Sequence, residues 1–174
     1  KLIPNNIFVP TKLKENKIKK FCKNIKIFDA PLFRFKNLFK IKIKKNYKIT
    51  NSILVFLPIE REEAIYIIKQ LSRSNLLKKN KIKVIVKPHP DIDDKFQNRL
   101  LKICQKRFLF SNRKLNEIIK KVDLVISTSS STSIEAIFYG KPVISPVNSN
   151  LLVDSPIIGL IEKKYYDISY DAED

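Results

Sequence analysis

Seven hydroxyl residues stand in a row from Ser127 to Ser133, with the apolar run Leu124–Ile126 before them and Glu135, Gly140 and a second apolar run after them. A turn of small residues between a strand and a helix start offers hydroxyls and free backbone N–H groups to one anion, and the helix dipole points at the same spot. Upstream, the basic run KIKVIVK ends in Pro88-His89-Pro90, which puts the single histidine of the chain at the carboxyl end of a predicted strand. In open parallel sheets that edge is where ligands bind. An imidazole there can hydrogen-bond a phosphate or protonate a leaving oxygen, because its ordinary pKa lies near 6.5.

Together these residues resemble the C-terminal, nucleotide-binding half of GT-B glycosyltransferases. The resemblance is to bacterial capsule and surface-polysaccharide transferases, to sialyl- and polysialyltransferases with an HP motif, and to glycerophosphotransferases of teichoic acid synthesis. It rests on KPHP at Lys87–Pro90 and on S-x-S-S-S-x-S-x-E-A-x-x-x-G-K-P-V-I from Ser127 to Ile144. What it implies is an enzyme that moves a sugar, or a glycerophosphate, from an activated nucleotide to a growing surface glycan. By the same resemblance His89 and Pro90 contact the phosphate or ribose of the donor and Lys87 lends charge. Ser129, Ser130 and Ser131, with Thr132 beside them, surround the phosphate, and Glu135 binds ribose hydroxyls. The KPHP form leans towards CMP- or CDP-linked donors. The acceptor is a glycan or a lipid-linked glycan. No metal or other cofactor is expected, His89 is the expected catalytic residue, and the location is cytoplasmic, peripheral at the inner membrane face. A nucleotide-sugar epimerase of related fold is the alternative enzyme.

Each of these residues also has a plainer reading. His89 can be a surface histidine in a proline-fixed turn, and Lys87 an ordinary lysine at a strand end. Thr132-x-x-Glu135 has the spacing of a capping box, in which Glu135 returns to the backbone instead of meeting a ligand. Gly140-Lys141-Pro142 reads as a helix end and a strand start. Asp123 reads as a residue that orients the strand entry. Asp91-x-Asp93 has metal-motif spacing, but acids at a helix start account for it better.

Other chemistries lack their residues. The serine run contains no glycine, so it is neither a P-loop nor a dinucleotide fingerprint. It lacks the glycine-flanked elbow of serine hydrolases. Cys22 and Cys104 are far apart and have no metal-ligand spacing, so free thiols are expected. No run approaches the roughly 18–20 apolar residues of a membrane span.

Charge is uneven. Residues 1–50 carry 15 basic and 2 acidic side chains, while residues 51–174 carry 20 and 15. The excess fits an anionic membrane or acidic substrate, or simply a lysine-rich composition, with 29 Lys against 6 Arg. So few arginines argue against base readout, and no nucleic-acid partner is expected.

The elements that must hold these residues are legible as βα alternation from Ser52. Strands are predicted at Ile53–Leu57, Ile82–Val86, Phe108–Phe110, Leu124–Ile126 and Pro142–Ser145. Helices are predicted after Pro58, after Asp91, over Leu115–Val122 and over Ile134–Tyr139. Such alternation implies an α/β fold, a Rossmann-like parallel sheet with helices on both faces. Before it, Asn6–Val9 and Ile25–Phe28 read as strands around a basic helix at Lys12–Cys22. Phe33–Tyr47 alternates basic and apolar residues as a half-buried linker strand does. Residues 1–50 are therefore expected to be the end of an N-terminal GT-B domain plus a basic linker. Residues 51–150 are expected to be the nucleotide-binding domain, and 151–174 a truncated tail. The chain, opening on Lys1, reads as a piece of a longer enzyme that is inactive without its partner domain.

Overall fold

A computed structural model describes residues 4–9, 12–22, 24–30, 35–40, 49–147, 155–158 and 161–170. The chain falls into two units, Lys1–Ile41 and Lys42–Asp174.

In the first unit, strand β1 (Asn6–Val9) pairs in parallel with β2 (Lys26–Asp29), and helix α1 (Lys12–Phe21) connects them. Phe8 and Phe28 stack with ring centroids 5.4 Å apart, yet both remain exposed, as does Phe21. The predicted linker strand at 33–47 lies mostly outside the described residues. Its described part is not extended: Leu38–Lys40 forms a 3-10 turn. Phe35 is buried there.

The second unit is built on a six-stranded, wholly parallel sheet. Its strands are β3 (Ser52–Phe56), β4 (Lys83–Lys87), β5 (Leu109–Phe110), β6 (Leu124–Ser127), β7 (Val143–Pro146) and β8 (Tyr166–Ser169). Their spatial order is β5-β4-β3-β6-β7-β8. The chain starts in the middle, winds outward one way, crosses back and winds the other way. β3 and β6 are therefore neighbours whose helices leave on opposite faces, which is the topological switch point of a Rossmann-like sheet.

The central strand shows why this order is stable. All five residues of β3, SILVF, are buried, as a parallel strand covered on both faces requires. Ile53, Val55 and Leu57 face α2 (Arg61–Arg73) and α4 (Asp94–Ile103), packing with Ala64, Ile67, Ile68, Phe96, Leu100 and Cys104. Leu54 and Phe56 face the other layer, with Val125, Val143, Ile118, Ile119, Ala136 and Ile157. Cys104 is thus a free, buried core thiol, while Cys22 is free and half-buried.

Local chemistry sets the ends of the elements. The Asp93 carboxylate accepts the Phe96 N–H at 2.7 Å and starts α4. The Ser74 hydroxyl accepts the Leu77 N–H at the start of α3 (Asn75–Lys79), a short helix that the sequence pattern does not predict. Gly140 has φ 72° just past α6 (Thr132–Phe138), and the Lys141 N–H closes back on the Ala136 carbonyl. That is the left-handed helix end glycine permits. The helix predicted over Leu115–Val122 is shorter, with α5 (Leu115–Ile118) tightening into a 3-10 turn at Ile119–Lys121. β8 is also unpredicted. It is an edge strand that adds Tyr166–Ser169 alongside Val143–Pro146.

Candidate functional site

Three strands deliver the candidate residues to one edge. At the carboxyl end of β4 the chain runs Lys87-Pro88-His89, at β3 it runs Leu57-Pro58, and at β6 it enters the hydroxyl run. β3 lies between the other two, so the His89 loop and the serine turn are separated by about 10 Å, two strand spacings. Buried Pro58 and Leu57 form the floor between them, and the Leu57 N–H is held by the Lys87 carbonyl at 3.1 Å.

His89 is half-buried, and its Nδ1 accepts the Asp91 N–H at 3.3 Å. With Nδ1 engaged by the loop, Nε2 is the ring nitrogen left to donate to a ligand. The Asp91 carboxylate lies 3.5 Å from Nδ1 and becomes a charge partner when the ring is protonated. Lys87 is placed differently. Its ammonium donates to the Arg113 carbonyl at 2.9 Å and so ties β4 to the loop after β5. Pro90 is exposed just past His89.

The serine turn divides its hydroxyls between internal and outward work. Ser130 Oγ lies 2.6 Å from Thr132 Oγ1 and also accepts the Thr132 N–H, and Ser133 Oγ donates to the Ser130 carbonyl. These bonds shape the turn. The Ser131 hydroxyl makes no hydrogen bond among the described residues, and neither do the backbone N–H groups of Ser129, Ser130 and Ser131. Successive free N–H groups of this kind make an anion-binding concavity.

The capping-box alternative is corrected by the structure. Thr132 is the first helical residue, not the cap; the cap position is Ser131, which accepts no side-chain cap bond. Glu135 therefore sits one residue too far along for the box geometry. It is half-buried on the first turn of α6.

One residue at this edge has no counterpart in the sequence reading. Glu63 lies on the first turn of α2, where an acid favours a helix start. In the structure it is 6% exposed and turned towards the β6 turn, where Ser129 Oγ donates to its Oε2 at 3.4 Å. Its Oε1, Ser127 Oγ and Thr128 Oγ1 are all buried without a hydrogen-bond partner. Burial raises the Glu63 pKa above 4.5, the Glu60 charge adds to the rise, and the Thr128 and Ser129 hydroxyls beside it offset part of it. Thr128 lies close enough to act on the carboxyl without reaching hydrogen-bond geometry. The only sequence signal was an acid at the third helical position, where a partner across the sheet cannot be foreseen.

A groove of about 480 Å³ lies elsewhere, on the face of β4 and β5 beside α5, lined by Ile85, Leu109 and Ile118 with Lys83, Arg113 and Lys121. It shares no residue with the switch-point edge, and none of the convergent hydroxyls or N–H groups reaches it.

No family model and no curated protein matches the chain. Solved structures do. A mutant of Staphylococcus aureus TarM, bound to fondaparinux, α-GlcNAc-glycerol and UDP, superposes with a TM-score of 0.63 at 16% identity, over 95% of this chain and 34% of that one. The pneumococcal O-GlcNAc transferase GtfA, bound to UDP and GlcNAc, gives 0.59 at 14% identity, over 87% and 30%. A glycosyltransferase from Rickettsia africae gives 0.63 at 12% identity, over 97% and 50%. The expected fold, a Rossmann-like sheet matching GT-B glycosyltransferases, is borne out. The chain spans between 30% and 50% of the length of these proteins.

Proposed function

We propose that this chain is the nucleotide-sugar-binding part of a GT-B glycosyltransferase acting on a surface glycan. The observation that carries this reading is the convergence, at the switch-point edge, of the outward Nε2–H of His89 with the Ser131 hydroxyl and the free N–H groups of Ser129–Ser131. That is a set of donors at one sheet edge suited to a phosphate or pyrophosphate. In such a site His89 and the serine turn stabilise the charge that develops on the departing phosphate, as preorganised donors do. In its protonated form, with the Asp91 carboxylate 3.5 Å from Nδ1, His89 can also deliver the Nε2 proton to the leaving oxygen and remain as the neutral ring. Ser130 acts through the turn that it shapes, and Lys87 through the loop that it anchors. Glu135 is assigned to the ribose hydroxyls.

The cytidine preference rests on the KPHP resemblance. Uridine is its natural competitor, since UDP occupies the TarM and GtfA structures. The acceptor, a glycan or lipid-linked glycan, and the general base belong to a partner domain that residues 1–50 begin to represent. The reading carries a cytoplasmic location at the inner membrane face.

The test is ligand-dependent melting of the 174-residue chain with CMP, CDP, UDP, AMP and NAD. A bound ligand at a hundred times its Kd stabilises by about 2.7 kcal/mol. CMP or CDP is expected to raise Tm above AMP and NAD. A larger shift with UDP transfers the assignment to uridine donors, and equal or absent shifts with all five overturn the binding claim. His89→Ala is expected to cost about 1.5–3 kcal/mol of donor binding, the worth of a charged hydrogen bond to phosphate. Glu135→Gln should weaken the donor. Unchanged donor affinity removes its ribose role.

A further inference from the structure

We propose that Glu63 takes up a proton when an anion settles on the Ser129–Ser131 turn, so that ligand binding at this edge is coupled to pH. The proposal takes its physiological ligand from the nucleotide-sugar reading, but its mechanism concerns this chain's own groups.

Three observations support it. The carboxyl of Glu63 touches the turn that would seat the anion, through Ser129 Oγ at 3.4 Å. It is shut off from water, with Oε1 buried and unpartnered. A further hydroxyl beside it, Thr128 Oγ1, is equally buried and unpartnered. An ionised carboxylate can only accept, so it leaves Oε1 without a hydrogen to share. A bare, desolvated charged oxygen is costly. Protonation gives that oxygen a hydrogen to donate to a neighbouring hydroxyl. It also removes a negative charge from beside the anion seat, and the Ser129 hydroxyl becomes available to the ligand.

The surrounding charges leave Glu63 as the group that must respond. On its own helix Glu60 adds like charge, and Arg61 is turned to Asp93 at the start of α4. From β4, the Lys87 ammonium is held by the Arg113 carbonyl and His89 by Asp91. The Ser127–Ser133 turn carries only hydroxyls, with Glu135 further along α6. From the start of β7, the Lys141 charge acts on Asp123. The raised pKa of Glu63 agrees with this placement.

Sodium sulfate is a suitable probe, because it does not titrate in the working range and carries no nucleoside. Binding to the full 174-residue chain is measured calorimetrically at about pH 5, 6 and 7, in buffers of differing ionisation enthalpy, for wild type, Glu63→Gln and His89→Ala; one proton taken up weakens binding by up to about tenfold per pH unit. Wild type is expected to take up a fraction of a proton on binding sulfate and to bind more weakly as pH rises. His89→Ala should bind more weakly throughout but keep the Glu63 share of the slope. Glu63→Gln should bind with clearly less uptake and a shallower pH profile, what remains being the share of His89. In wild type, the side-chain carboxyl ¹³C signal of Glu63 should titrate at higher pH with sulfate than without. This readout does not depend on any variant folding. The proposal is overturned if Glu63→Gln keeps the full wild-type proton uptake, if the Glu63 signal does not move with sulfate, or if sulfate does not bind wild type. Sulfate binding with the expected uptake, but no binding of CMP, CDP or UDP, leaves this coupling standing and removes the nucleotide reading alone.

Discussion

Glu63 and Asp123 are carboxylates pulled in opposite directions, and each makes a different demand on pH. Glu63 has its pKa raised above 4.5 by burial. Between 4.5 and its folded value the native state therefore holds more protons than the unfolded chain, and stability falls as pH rises through that window. Glu63→Gln removes this slope. Chemical denaturation at about pH 4 and pH 7 should show the variant more stable than wild type at the higher pH by about 1 kcal/mol or more, with the difference fading at the lower. An identical pH profile for the two proteins would show that Glu63 does not titrate on folding. Burial is the largest single influence on Asp123 and pushes its pKa up, but the N–H groups of Ser52 and Thr50, the Thr50 hydroxyl and the Lys141 charge together outweigh it and hold the pKa below 3.8. Its oxygens accept the Thr50 N–H at 3.1 and 3.0 Å and the Ser52 N–H at 3.2 Å, which tethers the entry of β3 to β6. This contribution is present above pH 3.8 and lost as acid protonates the group. Asp123→Ala should cost about 1 kcal/mol after discounting for solvent, measured as a shift in the denaturation midpoint at pH near 7.

At the scale of elements, what the sequence disclosed follows from what forms each element locally. β3 and α2 are legible because apolar runs and 3.6-residue spacing record burial directly, and the helix end at Gly140 is legible because a left-handed residue is costly for anything but glycine. α3 and the true start of α6 are not legible. A five-residue helix has almost no periodicity, and a run of seven hydroxyls offers several competing cap positions. β8, with the sequence YDIS, is an edge strand whose partly exposed residues lack the hydrophobic signature of β3. The site divides in the same way. His89 and the serine turn announce themselves by composition. The Asp91 and Glu63 contacts depend on loop geometry and on a partner 66 residues away, which no local pattern encodes. The packing of α4 gives an element-scale prediction. Leu100 is fully buried between α4 and the sheet, whereas Leu109 at the short strand β5 is 53% exposed. Leu100→Ala should lose about 2–5 kcal/mol of stability, as buried leucine truncations do. Leu109→Ala should stay within about 0.5 kcal/mol. Equal losses at the two sites would mean that α4 does not pack as described.

For the whole molecule, charge and exposed apolar surface are concentrated in the same stretch. Residues 1–50 carry 15 basic side chains against 2 acidic ones. Within the first unit Phe8, Phe21 and Phe28 are exposed, and β1 and β2 form a two-stranded sheet among the described residues. A parallel pair of strands is ordinarily buried on both faces, and two strands alone are marginally stable. An apolar and basic surface of this kind calls for a partner surface. The proposed transferase supplies two: the remainder of a partner domain for the aromatic rings, and an anionic membrane for the lysines. Basic side chains near an anionic bilayer contribute about 1 kcal/mol each, and that attraction fades with salt. Flotation of the chain with vesicles containing phosphatidylglycerol should therefore be strong at low salt and lost at high salt. It should also fall when Lys19, Lys20 and Lys26 are changed together to glutamine. Flotation that ignores salt would assign the contact to the exposed aromatics. Absence of flotation at any salt would leave the lysines as composition and detach the proposed enzyme from the membrane.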